Sequence, residues 1–156
     1  MTDTLSKTQR SERMGLIRDR DTGPERSVRS LVHSMGFRFS LRRNHVPGRP
    51  DIVFPSRRKA IFVHGCFWHR HPNPKCKLAR LPKSRLDFWL PKLEGNRIRD
   101  IQKQRELRAA GWTFMVVWEC EIDHKERLKN KLQRFLGKDD ARSRVVRRSG
   151  RTRNGD

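Results

Sequence analysis

Residues that ligate metals are concentrated in one short segment of the chain. Positions 64–71 read His-Gly-Cys-Phe-Trp-His-Arg-His, Cys76 follows in a proline-rich stretch, and Cys120 ends an apolar run. Thiolates and imidazoles are the ligands that zinc prefers in tetrahedral protein sites. We therefore predict that Cys66, Cys76, Cys120 and one histidine hold a zinc ion. A loop this rich in proline and lysine buries little, so a metal would also stabilise it.

The identity of the histidine ligand is left open by the spacing alone. His64, His69 and His71 all lie within reach of the same loop. Four protein ligands would leave no open coordination position, so such a zinc would be structural rather than catalytic. The alternative interpretation is that the thiols are buried separately and that the histidines form a surface cluster.

A second pattern indicates hydrolysis. Asp51 opens a short apolar segment, and His64 closes the next one. If the two segments pair as a hairpin, a carboxylate and an imidazole face one point. Mg²⁺ prefers oxygen ligands, and it can neutralise a phosphate and activate water. A histidine can then serve as general acid or base. The alternative is that Asp51 caps a turn and His64 is an ordinary core or surface residue.

A predicted helix carries a further carboxylate. Thr22-Gly-Pro-Glu is a helix-start pattern, and Gly36 is a helix-stop residue. Apolar residues between them recur at helical spacing. Glu25 therefore lies at the start of the inward face. It is either favoured there by the helix dipole or directed into a site.

Aromatic residues lie in polar surroundings at two places. Phe67-Trp68 is inside the metal-binding loop, and Phe88-Trp89 is near the start of a second predicted helix. Core packing is one explanation. Exposed apolar side chains on a basic surface can also wedge between DNA base pairs, and Met14 in the basic N-terminal segment could do the same.

The remaining elements predict a mixed or parallel α/β arrangement, because a helical crossover separates two apolar strands. Alternation predicts a short strand over 37–41, and turn residues separate the two strands of a hairpin buried on both faces. The long helix over 84–110 is expected to be broken or kinked near Pro91 and Gly95. The predicted strands are 37–41, 52–54, 60–63 and 112–118, and a closing amphipathic helix spans 128–136.

Composition limits the number of domains and indicates a polyanionic partner. The chain has 156 residues, is 33% hydrophobic and carries a formal net charge of +21. We predict an N-terminal DNA-contacting arm over residues 1–21, one domain over 22–136 and a basic, disordered tail over 137–156. Such a charge favours nucleic acid over a membrane surface. The N-terminus lacks the apolar core of a signal peptide, so we expect no secretion. Three cysteines cannot form a closed set of disulfides, and a reducing cytoplasm favours metal ligation or burial of the thiols.

The sequence resembles a known family, the very-short-patch repair (Vsr) endonucleases, which are bacterial mismatch-dependent DNA nickases. The resemblance runs from about residue 8 to 135, and its most specific string is His-Gly-Cys-Phe-Trp-His. The other matching stretches are Arg10–Met14, Arg20-Asp-Thr, Pro47–Asp51, Asp87–Leu90, Asn96–Asp100, Gly111-Trp and Val117–Cys120.

The resemblance implies a restriction-endonuclease-like α/β core, with a mixed central sheet flanked by helices and a structural zinc site. In such a core Asp51 is the metal-binding acid, and Mg²⁺ is also held by the main-chain carbonyl of Val63 and by water. His69 would be the general base and His64 a supporting catalytic group. Glu25 would help to orient His69 or the metal-bound waters, which replaces the dipole interpretation.

The resemblance also selects His71 as the histidine ligand of zinc, beside Cys66, Cys76 and Cys120. The spacer before Cys76 is longer than in the best-known member of the family, which affects the loop rather than the ligand count. Phe67, Trp68 and Trp89 would form the aromatic wedge, and Met14 would enter from the minor groove.

The function that follows is Mg²⁺-dependent nicking of one strand on the 5′ side of the thymine in a T:G mismatch, which arises when 5-methylcytosine deaminates. The chain would act as a monomer in the bacterial cytoplasm at the nucleoid, alongside a cytosine-5 methyltransferase and general mismatch-repair proteins. The alternatives are a restriction-type or mobile-element endonuclease without mismatch dependence, and a zinc-bearing DNA-binding protein without activity.

Overall fold

The computed structural model describes residues 6–9, 22–41 and 45–137. Three α-helices and three strands form the domain within these ranges, joined by short 3-10 turns. Most of the predicted arm, including Met14, and most of the predicted tail lie outside the described residues. The elements are α1 (Gly23–Ser34), β1 (Ile52–Phe54), β2 (Lys59–His64), α2 (Leu86–Ala109), β3 (Thr113–Trp118) and α3 (Lys125–Leu136).

The three strands form one mixed sheet in the order β1-β2-β3. β1 and β2 pair antiparallel through a turn at Pro55–Arg57, which confirms the predicted hairpin, and every residue of β1 is buried. β2 and β3 pair parallel, and α2 makes the crossover between them. His64 and Trp118 are register partners at the same end of this parallel pair.

Helices cover both faces of the sheet, as the alternation of β2 requires. Ile61 and Val63 belong to a cluster with the buried residues of α1 and α3. Ala60 and Phe62 belong to a second cluster, on the other face, with Leu107 of α2. Each large apolar side chain buried in this way contributes about 2 kcal/mol to the free energy of folding. Because side chains alternate along a strand, His64 follows Phe62 onto the α2 face.

The helix predicted after Thr22 is confirmed at both ends. The Thr22 hydroxyl accepts the N–H of Glu25 at 3.3 Å, and Gly36 follows the helix with a φ of +87°. Val28 and Val32 are fully buried against the sheet. The closing helix is confirmed as α3, which buries Leu128, Leu132 and Leu136.

The structure differs from two sequence expectations about the elements: the long helix is not broken, and the first short strand does not form a ladder. α2 continues without a break through Pro91 and Gly95. Pro91 is exposed in the first part of the helix, so water can satisfy the carbonyl that lost its partner. The expected strand over 37–41 is reduced to a single bridge in which Ser40 and Val53 exchange hydrogen bonds of 2.8 and 3.1 Å. Glycine and loop residues on either side leave too short an extended segment for a ladder.

None of the helices within the described residues has the length and apolar composition needed to cross a lipid bilayer.

The turn before Asp51 is held directly against α2. Gly48 has a φ of +78°, and a Cβ added there would lie 2.6 Å from the carbonyl oxygen of Lys103. No side chain fits at this distance, and the left-handed backbone disfavours every L-residue with a Cβ. Gly48 thereby allows the segment that carries Asp51 to lie on the helix.

We expect Gly48→Ala to lower the free energy of unfolding by about 3 kcal/mol, since backbone strain and overpacking add. Urea denaturation measures the change. Gly23→Ala is the matched control, because a Cβ at Gly23 meets nothing within 4 Å. Equal midpoints for the two variants would show that the close approach of Gly48 to α2 does not matter.

Candidate active site and metal centre

Two histidines and one aspartate form a polar cluster on the α2 face of the sheet. The His69 ring donates from Nδ1 to Oδ2 of Asp100 at 2.6 Å. The rings of His64 and His69 are stacked, with centroids 4.0 Å apart and planes 5° apart. Donor atoms of the three residues all lie within 4.8 Å of one another. This arrangement leaves Nε2 of His69 as the ring nitrogen that can accept a proton.

His64 occupies a drier position than His69. Its side chain is 6% exposed, against 29% for His69. Burial, followed by the proximity of His69, lowers the pKa of His64 to about 3, so the ring is neutral at physiological pH. Its Nδ1 atom has no hydrogen-bond partner among the described residues, and its Nε2 atom lies 3.9 Å from Asp100. His64 is therefore held mainly by packing.

Asp51 lies beside the end of β2, where the hairpin hypothesis requires it. Its Oδ2 atom accepts the main-chain N–H of Val63 at 2.7 Å. The carboxylate is therefore next to the peptide unit that joins Phe62 to Val63, one residue before His64, which in turn stacks on His69. Contacts thus run from Asp51 through β2 to His69. A carboxylate and a main-chain carbonyl are the oxygen donors that Mg²⁺ uses, so the residues fit this ion.

A single helical turn carries His69 and ends in a left-handed residue. The N–H of His69 donates to Gly65, that of Arg70 to Phe67 and that of His71 to Cys66, at 3.1, 3.4 and 2.9 Å. Arg70 has a φ of +55°. This is the Schellman closure of a helix end, in which glycine usually occupies the left-handed position. The reversal at Arg70 separates the ring of His69 from that of His71.

Helix α2 holds this turn from the other side. Asn96 donates from Nδ2 to the carbonyl oxygen of Trp68 at 2.9 Å, and Asp100 accepts from His69 one helical turn later. Residues four apart lie on one face of a helix, so α2 binds two successive residues of the loop. The helix therefore determines the orientation of His69.

The four residues predicted as zinc ligands come together on the far side of the same turn. The sulfur atoms of Cys66, Cys76 and Cys120 and a ring nitrogen of His71 all lie within 4.8 Å of one another. Nδ1 of His71 is 3.6 Å from Sγ of Cys120. The Cys120–His71 separation is near the edge length of a tetrahedral zinc site with Zn–S bonds of about 2.3 Å, and the other ligand atoms lie close enough to share such a site. The alternative of unconnected thiols is wrong.

Burial acts on the cysteines of this cluster. It raises the pKa of the Cys66 thiol to about 12 and also raises that of Cys120. The pKa of Cys76 lies below its ordinary value, because backbone N–H groups and the Cys66 side chain outweigh its desolvation. A cation would draw such thiols into the thiolate form, as zinc does in proteins. The donor set therefore fits zinc.

The known proteins that this chain resembles are DNA mismatch endonucleases and nicking enzymes. The model of the family described as DNA mismatch endonuclease Vsr matches residues 2–76. The type II nicking enzyme V.XorIIP of Xanthomonas oryzae pv. oryzae is 52% identical over 136 residues, which cover 87% of this chain and 98% of that protein. This chain belongs to the Vsr family. V.NmeAIP of Neisseria meningitidis is 38% identical over 87% of this chain and 95% of its own length. DNA mismatch endonuclease Vsr of Escherichia coli is 40% identical over 82% of this chain and 80% of its own length.

Membership of the Vsr family confirms the resemblance, while the roles of single residues stay predictions. Glu25 is 4% exposed in the first turn of α1. The position that a carboxylate would take to orient His69 from Nδ1 is occupied by Asp100. Of the two roles predicted for Glu25, orienting His69 is thus taken by Asp100. Orienting waters on a bound metal remains a prediction.

The aromatic residues predicted to wedge into DNA pack on each other. Phe67 lies 5.0 Å from Trp68 and 5.3 Å from Trp89, measured between ring centroids, with the planes steeply inclined. Trp89 is only 8% exposed, whereas Phe67 and Trp68 are half-buried. The three rings thus pack on one another, and Trp89 supports the two more exposed rings. The wedge itself stays a prediction.

Asp100 is a candidate site residue that the sequence analysis does not single out, and its hydrogen bond to His69 brings it into the cluster. It lies within Asn96–Asp100, a stretch that matches the Vsr family, but the resemblance implies no role for it. The signal that could have found it is its spacing on α2, because Leu93, Asn96, Asp100 and Leu107 share one helical face. A carboxylate on the buried face of a helix needs a partner. His69 is that partner.

Proposed function

We propose that this chain is an endonuclease that nicks one strand of duplex DNA on the 5′ side of the thymine in a T:G mismatch, with Mg²⁺ as cofactor and zinc as a structural ion. The observation that carries the proposal is the His69–Asp100 pair, whose side chains are 2.6 Å apart. His69 lies in the loop that follows β2, the strand whose Val63 N–H binds the Asp51 carboxylate. An oriented imidazole next to a metal-binding carboxylate is what hydrolysis of a phosphodiester requires.

His69 is the general base of this proposal. Asp100 fixes the tautomer in which Nδ1 carries the proton, so Nε2 accepts a proton from the attacking water. The carboxylate of Asp100 then stabilises the imidazolium that forms. His64 is neutral and packs on the His69 ring, which keeps the imidazole in one plane. Glu25 assists from the start of α1.

Asp51 and the main-chain carbonyl of Val63 would hold Mg²⁺, which when bound neutralises the phosphate and supports the leaving oxygen. Val63 needs no particular side chain for this role, and its N–H orients the Asp51 carboxylate. Cys66, His71, Cys76 and Cys120 would hold the zinc ion. The arrangement supports assignment of the mixed sheet to the restriction-endonuclease-like class.

Duplex DNA is the substrate that the charge of +21 favours, through phosphate contacts that weaken with salt. The aromatic wedge, with Met14 from the opposite groove, would separate the bases beside the mismatch. A T:G pair costs less to unstack than a matched pair, which gives the enzyme its preference. We further propose that it acts as a monomer at the bacterial nucleoid, on lesions left by a cytosine-5 methyltransferase.

The test compares nicking of a labelled T:G duplex with nicking of its matched C:G control in Mg²⁺. We expect the mismatched duplex to be nicked on the thymine strand and the matched duplex to stay intact. Asp100→Asn is expected to slow nicking by about 100-fold, because the amide stabilises neither the tautomer nor the imidazolium. Equal cutting of both duplexes would favour a restriction-type endonuclease, and binding without nicking would favour an inactive DNA-binding protein.

A further inference from the structure

Trp118 lies between the two centres of the protein. It is the last residue of β3 and the register partner of His64 in the parallel strand pair. Its ring meets the His64 ring edge-on, with centroids 5.2 Å apart and planes at 72°. On the other side it stacks on the His71 ring at 4.4 Å, with planes 18° apart. One indole therefore touches a predicted zinc ligand and a predicted catalytic histidine.

The orientation of His64 depends on such packing. Neither ring nitrogen of His64 makes a hydrogen bond with the described residues, since Nδ1 has no partner and Nε2 is 3.9 Å from Asp100. Its other aromatic neighbours are Phe62, at 5.9 Å, and His69, at 4.0 Å. An imidazole without hydrogen bonds is free to turn unless rings on both sides confine it. Trp118 and His69 are the two closest rings.

The main chain at Trp118 is fixed independently of its side chain. Its N–H donates to Oε2 of Glu121 at 2.8 Å. Lys131 of α3 donates to both carboxylate oxygens of Glu121, at 2.8 and 3.0 Å, and to the carbonyl oxygen of Val116 at 3.0 Å. These bonds hold the segment that leads to Cys120. A change of the indole can therefore be made without moving the strand.

We propose that Trp118 is a positioning residue that couples the zinc centre to the active site. The metal fixes the plane of His71, His71 fixes the indole by stacking, and the indole holds the His64 ring parallel to His69. The inference rests on the proposed function for the roles of the zinc and of His69. Trp118 forms two aromatic pairs, with His64 and with His71. The loss of both is expected to change the rate of nicking by about tenfold.

Trp118→Leu and Trp118→Phe test the coupling, with Trp112→Leu as the matched control. Trp112 is also half-buried and lies on the same face of the sheet, but it packs on the cluster of Phe62 and Leu107, away from the zinc centre. The measurements are the rate of zinc transfer to a colorimetric chelator, the imidazole NMR signals of His64 and His69 without DNA, and steady-state nicking of the T:G duplex.

We expect Trp118→Leu to release zinc several-fold faster, to shift the His64 and His69 signals, and to lower kcat about tenfold with KM unchanged. Trp118→Phe should recover most of each property. The proposal is overturned if Trp118→Leu matches Trp112→Leu in zinc release and NMR signals, if phenylalanine does not rescue, or if the wild-type protein holds no zinc. If the wild-type protein fails to nick a T:G duplex, the proposed function is wrong, while zinc release and NMR still decide the coupling.

Discussion

Replacing Asp51 with asparagine is expected to slow nicking of a T:G duplex by about a thousandfold, which corresponds to about 4 kcal/mol of transition-state stabilisation. The amide keeps the shape of the side chain, and its oxygen can still accept the N–H of Val63. The negative charge that would hold Mg²⁺ is lost. Single-turnover nicking of a labelled duplex in saturating Mg²⁺ measures the effect.

Asp87→Asn is the control for this prediction. Asp87 is an aspartate in the first turn of α2, its side chain is 81% exposed, and no role is proposed for it. Asp87→Asn should nick at the wild-type rate. Both Asp87→Asn and Asp51→Asn should unfold at the wild-type urea midpoint within experimental scatter. If Asp51→Asn nicks as fast as wild type, then Asp51 is not the metal-binding acid.

The elements that sequence analysis predicted correctly are those with local signals. Thr22 and Gly36 mark the ends of α1, because a hydroxyl cap and a left-handed glycine act within a few residues of themselves. The hairpin was predictable for the same reason, since buried β-branched runs flank a turn segment at Pro55. Local chemistry determines these features, so one sequence suffices to find them.

Features that depend on distant partners were harder to predict. Asp100 belongs to a helix in which polar residues predominate, so the helical face that it shares with Leu93 and Leu107 is only weakly marked in the sequence. Its role arises only when α2 packs against the loop that carries His69. Pro91 is expected to break or kink that helix, but the helix continues through it, and water can satisfy the Asp87 carbonyl that loses its donor because both residues are exposed.

The choice among the three histidines illustrates the same limit. Spacing along the chain leaves His64, His69 and His71 equivalent. The structure separates them by the end of β2 and by the left-handed backbone at Arg70, which directs His69 toward α2 and His71 toward the cysteines. Histidines only two residues apart in the chain thus lie in different side-chain clusters, and loss of one cluster should disturb the other.

Removal of zinc is expected to lower the thermal midpoint by about 10 °C or more, because a structural zinc ion contributes several kcal/mol to folding and the loop has little apolar burial to replace it. Cys76→Ala tests the site without disturbing the core, since Cys76 is half-exposed, whereas Cys66 is fully buried. Calorimetry with and without chelator, together with elemental analysis, measures the effect. Nicking should fall in parallel, because His69 lies in the same loop.

Combining chelator with Cys76→Ala shows how much of the thermal midpoint depends on the metal. Chelator should destabilise the wild-type protein to the level of Cys76→Ala and should not affect Cys76→Ala further, since both remove the same ion. Lys77→Ala, an exposed neighbour that is not a ligand, should keep both the metal and the wild-type midpoint. If the wild-type protein carries no stoichiometric zinc, or if Cys76→Ala unfolds at the wild-type midpoint and still responds to chelator, then this cluster does not stabilise the fold through a metal. The reversal at Arg70 would then have to be held by hydrogen bonds alone.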